Sequence, residues 1–140
     1  MRNVPLVLAA VALAIPVLAQ RGTSTLDAGW TSDFAKAQAK AKREGKLLLV
    51  DFNATWCGPC QMYRRDVFPT IEFKKATKDV VLVSIDVDKQ PALAAKYGVS
   101  GIPDLRILSA SGKALDGMVG YGGAEPLLGK LAKAKSAKRA

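Results

Sequence analysis

The sequence predicts an α/β protein in which helices flank a central mixed β-sheet. Two segments, 46–53 and 80–87, are nearly continuous apolar runs, as expected for strands covered on both faces. Segments of helical composition separate these strands, which favours parallel pairing between them. A further strand at 104–109, a turn at 111–112 and a strand at 113–121 predict a hairpin, so the sheet should be mixed.

The N-terminal residues 1–19 are predicted to be a cleaved secretory signal peptide. Arg2 supplies the positive charge, 6–15 the apolar core and 17–19 a small-residue cleavage site. The alternative is an uncleaved membrane anchor. It is disfavoured because the apolar stretch has 16 residues and two prolines, whereas a span needs about 20 residues. In both cases the domain lies outside the cytoplasm, and we expect a periplasmic or secreted protein in an oxidising compartment.

The segment before the first long strand is predicted to be a linker followed by a helix. Residues 20–32 are mostly small and polar and form the linker or lead-in. Asp33 and its neighbours offer helix-capping side chains, and the Ala- and Lys-rich segment 34–43 follows as a helix. Gly45 suits the left-handed residue that often ends a helix. We expect Trp30, just before the cap, to pack against this helix.

Proline and glycine positions define the remaining helices. Pro59 is tolerated in the first turn of a helix beginning at Gly58, and Pro69 must kink or end that helix. Shorter helices are predicted at 71–77 and 92–97, and a closing helix at 124–134. The domain should therefore span residues 33–134, and residues 135–140 should form a frayed basic tail.

Composition excludes several classes of chemistry. The chain of 140 residues has 21 basic and 12 acidic residues and a net charge of +9. A lysine-rich surface explains this charge, and no basic motif interleaved with aromatic residues supports nucleic-acid binding. The absence of histidine excludes histidine-based nucleophilic catalysis and Cys/His zinc sites. Two cysteines cannot complete a four-ligand zinc site, so we predict no bound metal. Because the basic motif is also missing, we predict no nucleic-acid partner.

Both cysteines, Cys57 and Cys60, lie between a buried strand and the start of a helix. The free N–H groups and dipole of a helix N-terminus favour a thiolate on the first cysteine, and the second lies one turn further on. This arrangement predicts thiol–disulfide exchange, with Cys57 as nucleophile, Cys60 as resolving thiol and no cofactor besides the Cys57–Cys60 disulfide. The alternatives are a static disulfide, disfavoured by the very short loop, and a non-catalytic clip for a soft metal such as Cu(I).

Two neighbours of the cysteines are further candidates for the site. Asp51 lies in the strand expected to be covered on both faces, where an ionised carboxylate is costly, so its pKa should rise. A carboxyl group poised near neutrality can take the proton from Cys60 as that thiol attacks. The alternative is an Asp51 that reaches solvent at the strand end. Trp56 should form an apolar shelf beside the sulfur atoms, the alternative being an ordinary core position.

Together these motifs resemble the thioredoxin family. The resemblance is carried by the segments 50–52, 56–60 and 101–103 and by the glycines at 120, 122 and 123. It covers about residues 33–134 and implies the thioredoxin fold, here with an extra N-terminal helix as lead-in. The segment 54–57, Ala-Thr-Trp-Cys, is also similar to secreted members of the family. These include the C-terminal domain of the bacterial transmembrane thiol:disulfide interchange protein.

The resemblance implies a protein-disulfide reductase fed by a membrane thiol donor, and we expect a monomer. Gly58 and Pro59 form the dipeptide that the family links to a reducing potential of about −270 mV. Pro103 should be cis and face the sulfur atoms, which leaves the backbone of Ile102 free to pair with an extended substrate. With Trp56, these residues should form the substrate surface. The alternatives are a disulfide oxidase or isomerase, or a non-catalytic thiol- or metal-binding module.

Four positions depart from the family pattern. Asn53 replaces a common aromatic residue, and Leu82 is predicted to stand where a lysine usually accompanies the buried aspartate. Asp104 and Arg106 replace uncharged residues after Pro103. Because they lie two residues apart on one strand they share a face, and we expect them to pair. An unpaired negative charge near Cys57 would raise the pKa of that thiol.

Overall fold

A five-stranded mixed β-sheet forms the centre of the protein in a computed structural model that describes residues 29–140. The strands are β1 (Trp30–Thr31), β2 (Leu47–Asn53), β3 (Val80–Asp86), β4 (Asp104–Leu108) and β5 (Ala114–Val119). Their order across the sheet is β1-β3-β2-β4-β5. β1 and β2 run parallel to β3, whereas β4 runs antiparallel to β2 and to β5. The predicted mixed sheet with a closing hairpin is confirmed.

Helices cover both faces of this sheet. They are α1 (Phe34–Glu44), α2 (Gly58–Met62), α3 (Ile71–Thr77), α4 (Pro91–Lys96) and α5 (Ala124–Arg139), and a π-helical turn, Tyr63–Val67, continues α2. The Asp33 side chain caps α1 by accepting the Lys36 N–H at 3.0 Å. Gly45 ends α1 with a φ of 60°, a left-handed conformation that glycine adopts at little cost. Both ends of α1 thus follow from local sequence.

Two apolar cores, one on each face, hold the helices to the sheet. All seven residues of β2 are buried, which confirms a strand covered on both sides. Because side chains alternate along a strand, Leu48, Val50 and Phe52 pack with α1 and α4, whereas Leu47 and Leu49 pack with α3 and α5. Each such fully buried side chain stabilises the fold by roughly 1.5–3 kcal/mol. β2 therefore contributes buried side chains to both cores.

Trp30 lies on the opposite face of the sheet from the one predicted. It belongs to β1, where it pairs with Leu82 of β3. Its ring packs 4.7 Å from that of Phe68 and 6.3 Å from that of Phe73, measured between centroids. The expectation that it packs against α1 is wrong, because pairing with β3 directs the indole toward the core that contains α3. A two-residue strand has no periodicity from which the sequence could predict it.

The C-terminal residues 135–140 are not a frayed tail, because α5 continues through Arg139. Lys135 forms an ion pair with the Asp79 carboxylate, and its ammonium group also donates to a carbonyl of α3. Lys138 donates to the carbonyl of the residue that ends α1. These contacts bind the last helical turns to the domain, so the prediction that the helix ends at residue 134 is wrong.

The predicted signal peptide, residues 1–19, lies outside the described residues, as do residues 20–28 of the predicted linker. Between residues 29 and 140, no helix has both the length and the apolar character needed to cross a bilayer.

Candidate redox site

One edge of the sheet gathers the segments that carry the candidate site. The parallel register aligns Asn53 with Asp86, so β2 and β3 end at the same edge. β4 begins at that edge, because Asp104 pairs with Phe52 in the antiparallel register. The loop after β2, the turn after β3 and the loop before β4 therefore meet. These three segments contain Trp56, Cys57, Ile102 and Pro103, and the other residues predicted for the site lie in the adjoining parts of β2 and α2.

Cys57 and Cys60 form a disulfide at the junction of β2 and α2, with their Cα atoms 5.3 Å apart. Cys57 is the N-cap residue of α2, and its Sγ atom accepts the Cys60 N–H at 3.2 Å. Gly58 and Pro59 occupy the first two helical positions, where the missing N–H of proline costs nothing. In the reduced protein, the same N–H donor and the helix dipole favour a thiolate on Cys57.

The two sulfur-bearing residues differ in exposure. Cys57 is 4% exposed, whereas Cys60 is completely buried, with Ala54, Val87 and Ile102 around the pair. In thiol–disulfide exchange a thiolate attacks one of the two sulfur atoms of a disulfide, so the rate depends on how accessible each sulfur atom is. Cys57 therefore keeps a small exposed surface beside the disulfide, whereas Cys60 has none.

Trp56 stands at the surface beside the disulfide. Its side chain is 69% exposed, which excludes the alternative of a core position. The indole Nε1 donates to the Asp88 carboxylate at 2.8 Å, across the edge where β2 and β3 end. Sequence reasoning missed Asp88, although a polar residue just past a parallel strand lies at the edge where such sheets place functional groups.

The loop before β4 contains the cis Ile102–Pro103 peptide bond that was predicted. Ile102 packs against the cysteine pair. Within residues 29–140, neither the N–H nor the C=O of Ile102 forms a hydrogen bond to another backbone group. The Pro103 carbonyl instead accepts the Gly120 N–H at 2.8 Å, which anchors the loop to the end of β5. The anchored loop thus offers an unpaired backbone edge next to the disulfide, suited to an extended peptide.

Asp51 is buried in β2, with 1% of its surface exposed, so the alternative of a solvent-exposed carboxylate is excluded. Burial raises the pKa of Asp51 to about 7, opposed by the nearby Arg64 charge and by the hydrogen bond from Asn53. Asn53 Nδ2 donates to Asp51 Oδ2 at 3.1 Å. The other carboxylate oxygen, Oδ1, has no hydrogen-bond partner among the described residues. The raised pKa predicted for Asp51 follows from this desolvation.

The residue opposite Asp51 on β3 is Ser84, not Leu82. The register pairs Asp51 with Ser84 and Leu49 with Leu82, and Leu82 packs against the α3 and α5 core. The position predicted for a missing lysine was therefore wrong by two residues, one full strand period. A cation reaches this region from the π turn instead, because Arg64 Nη2 lies 3.0 Å from Ser84 Oγ. No local pattern in the sequence distinguishes Arg64 from its neighbours.

Asp104 and Arg106 form the ion pair that the sequence predicted. The Arg106 guanidinium donates to both carboxylate oxygens of Asp104 at 2.5 and 2.7 Å, and the Asp104 side chain is 1% exposed. The pair lies on the α1 and α4 face, opposite to Asp51, because alternate residues of β4 face opposite cores. The negative charge of Asp104 is therefore balanced by the Arg106 guanidinium.

Within residues 29–140, no group of three or more His, Cys, Asp or Glu side chains is arranged to bind a metal ion. The reactive group is the Cys57–Cys60 disulfide itself.

A mixed sheet of this order, with a CxxC disulfide at the start of a helix, defines a thiol–disulfide oxidoreductase. The family model described as thioredoxin matches residues 30–133. The chain belongs to the thioredoxin family, whose members normally need no cofactor. The family and fold predicted from the sequence are confirmed.

Three similar proteins illustrate this relationship. A thioredoxin from Chlamydia caviae is 45% identical over 75 residues, which cover 53% of this chain and 69% of that protein. The structure of thioredoxin NaTrxh from Nicotiana alata matches 74% of this chain and 89% of its own, with a TM-score of 0.61 and 32% identity. The reduced DsbD C-terminal domain from Neisseria meningitidis matches 71% of this chain and 90% of its own. Its TM-score of 0.63 at 21% identity reflects the fold alone.

Proposed function

We propose that this thiol–disulfide oxidoreductase reduces protein disulfides outside the cytoplasm, with Cys57 as the nucleophile and Cys60 as the resolving thiol. The observation that carries the assignment of roles is the difference in burial between the two cysteines. Cys57 Sγ also accepts the Cys60 N–H, which supports a thiolate at Cys57. The exposed Trp56 and the unpaired backbone of Ile102 are the proposed substrate contacts.

The proposed reaction has two exchange steps. The Cys57 thiolate attacks one sulfur of the substrate disulfide, so that a mixed disulfide forms and the first substrate thiolate leaves. Cys60 then loses its proton and attacks Cys57 Sγ, which releases the second substrate thiolate and forms the Cys57–Cys60 disulfide. The substrate has gained two electrons and the protein has lost them. Asp51 is the proposed acceptor of the Cys60 proton, since a carboxyl with a pKa of about 7 suits this task.

The reducing direction rests on the Gly58–Pro59 dipeptide and on the similarity to thioredoxins. Thioredoxin has a reduction potential of about −270 mV, and the strong periplasmic oxidant DsbA about −120 mV. An oxidising compartment would convert so reducing a pair to the disulfide unless a donor reduces it again. We therefore propose a membrane thiol donor that delivers electrons to Cys57 and Cys60 of a monomeric protein.

The redox state in cells tests this direction of electron flow. Alkylation with a mass tag, applied directly to cells, should find a sizeable dithiol fraction of Cys57 and Cys60, because the donor keeps reducing the pair. Protein equilibrated in dithiothreitol redox buffers should have a potential near the thioredoxin value of about −270 mV. Fully oxidised protein in cells, together with a reduction potential of about −120 mV, would instead identify an oxidase.

The predicted signal peptide has its own test. The exported protein should begin at Gln20, since residues 17–19 form the expected cleavage site. Intact-mass analysis of protein from the extracytoplasmic fraction measures this end directly. Membrane-bound protein that retains Met1 to Ala19 would show that the segment serves as an anchor.

A further inference from the structure

Three polar side chains from different elements converge beside the Asp51 carboxyl. Asn53 follows it on the same strand, Ser84 faces it from β3, and Arg64 on the π turn extends to these two side chains. Arg64 Nη2 donates to Asn53 Oδ1 and to Ser84 Oγ, both at 3.0 Å. Arg64 does not touch Asp51 directly, and any influence on the carboxyl acts through these two neighbours and through its charge.

The contact with Arg64 favours one of the two possible orientations of the Asn53 amide. The guanidinium can only donate, so the amide oxygen must point toward Arg64 and the amide nitrogen away from it. The two N–H groups of that nitrogen face three acceptors, Asp51 Oδ2 at 3.1 Å, the Asp51 carbonyl at 2.9 Å and Ser84 Oγ at 2.9 Å, so that one N–H is shared. A flipped amide would place its oxygen against the carboxylate. Arg64, together with the Asp51 carbonyl that accepts from the amide nitrogen, therefore holds Asn53 in the orientation that stabilises ionised Asp51.

The charge of Arg64 acts in the same direction as this orientation. The groups that face Asp51 are Arg64 and the Tyr63 phenol on the π turn, Ser84 on β3 and apolar Leu105 on β4. Burial raises the pKa of the Tyr63 phenol, so that group is uncharged near neutral pH. Arg64 is thus the cation that opposes the desolvation of Asp51 within the described part of the chain.

We propose that Arg64 is a positioning residue for the redox reaction, acting on Asp51 through Asn53 and Ser84. The inference rests on the proposed role of Asp51 as proton acceptor. Without Arg64 the carboxylate form of Asp51 loses its nearby positive charge, and its Asn53 donor loses one of the contacts that orient it. A smaller fraction of Asp51 is then ionised near neutral pH, and the acid limb of the kcat/KM profile moves to higher pH.

The test compares Arg64→Met with Arg65→Met. The adjacent Arg65 pairs with Asp66 at the surface, and its side chain is 71% exposed. Arg65→Met therefore changes the net charge of the protein by the same amount as Arg64→Met, but at a site that does not contact the Asp51 cluster. We expect Arg64→Met to lower kcat/KM about tenfold at pH 6 and to have little effect at pH 9, where Asp51 is ionised in both proteins. Arg65→Met should follow the wild-type profile, and Arg64→Lys should restore part of the loss because it keeps a charge.

Two further measurements separate this inference from the proposed role of Asp51. The carboxyl carbon of Asp51, followed by NMR in the oxidised protein, should titrate at higher pH in Arg64→Met than in wild type. An unchanged titration would overturn the inference, whatever happens to turnover. In the Asp51→Asn background, Arg64→Met should no longer move the acid limb, and a shift that persists there would also overturn it. A wild-type rate profile in Asp51→Asn alone would refute the proposed role of Asp51, not its coupling to Arg64.

Discussion

Replacing Cys60 with serine should trap substrate proteins on Cys57 as stable mixed disulfides, whereas replacing Cys57 should trap none. The reason is that Cys57 is the cysteine with an exposed fraction and Cys60 is completely buried. Without the resolving thiol, the mixed disulfide formed in the first exchange step has no internal thiol to release it. Both variants should lose catalytic turnover, although only one of them retains the first step.

Non-reducing electrophoresis and mass spectrometry of tagged Cys60→Ser and Cys57→Ser protein from cells measure the trapped complexes. The double variant Cys57→Ser and Cys60→Ser is the matched control for non-covalent carry-over. Reduction of insulin in the presence of dithiothreitol reports the loss of turnover. Equal trapping by the two single variants would refute the assignment of roles, and turnover retained by both would favour a non-catalytic binding module.

Asp51→Asn should slow turnover by about 10²-fold near neutral pH, because the amide cannot accept the proton of Cys60. The wild-type pH profile should contain a group that titrates near pH 7, the raised pKa of this buried carboxyl. That group should be missing from the profile of the variant. Asp104→Asn is the matched control, because Asp104 is also buried but pairs with Arg106 on the opposite face of the sheet. The pH profile of turnover of Asp104→Asn should still contain the group that titrates near pH 7.

The same substitution should stabilise the oxidised fold at alkaline pH. The pKa of Asp51 is about 7 in the folded protein, above its ordinary value of 3.8, so the folded state binds the proton more tightly than the unfolded chain. The stability of the wild type therefore falls as pH rises from about 4 through about 7, and the loss reaches at most about 4 kcal/mol. Asn carries no charge and avoids this loss.

Urea unfolding at pH 4 and pH 8 measures the free energy of unfolding of both proteins. We expect similar stabilities at pH 4 and a more stable Asp51→Asn variant at pH 8. A variant that is less stable at pH 8 would contradict the cost assigned to burying the carboxylate. A variant with unchanged turnover but raised stability would make Asp51 a structural residue only.

The elements that the sequence predicted well are those with a local physical signal. The apolar runs at 46–53 and 80–87 correspond to β2 and β3 because a strand buried on both faces needs apolar residues in succession. The predicted helix at 71–77 coincides with α3, since Pro69 ends the preceding helix and Thr70 caps the next. The Cys57–Cys60 pair was recognisable because its chemistry requires two thiols one helical turn apart at a helix start.

What only the tertiary structure decided are the relations between residues distant in sequence. Strand register, set by packing on both faces, placed Ser84 instead of Leu82 opposite Asp51. The topology brought Asp88 to Trp56, and the continuation of α2 as a π turn carried Arg64 to Asn53. The sequence by itself thus determined the class of fold, the redox pair and the buried carboxyl, whose signals are local. The charges that act on that carboxyl depend on distances across the sheet, which no local pattern contains.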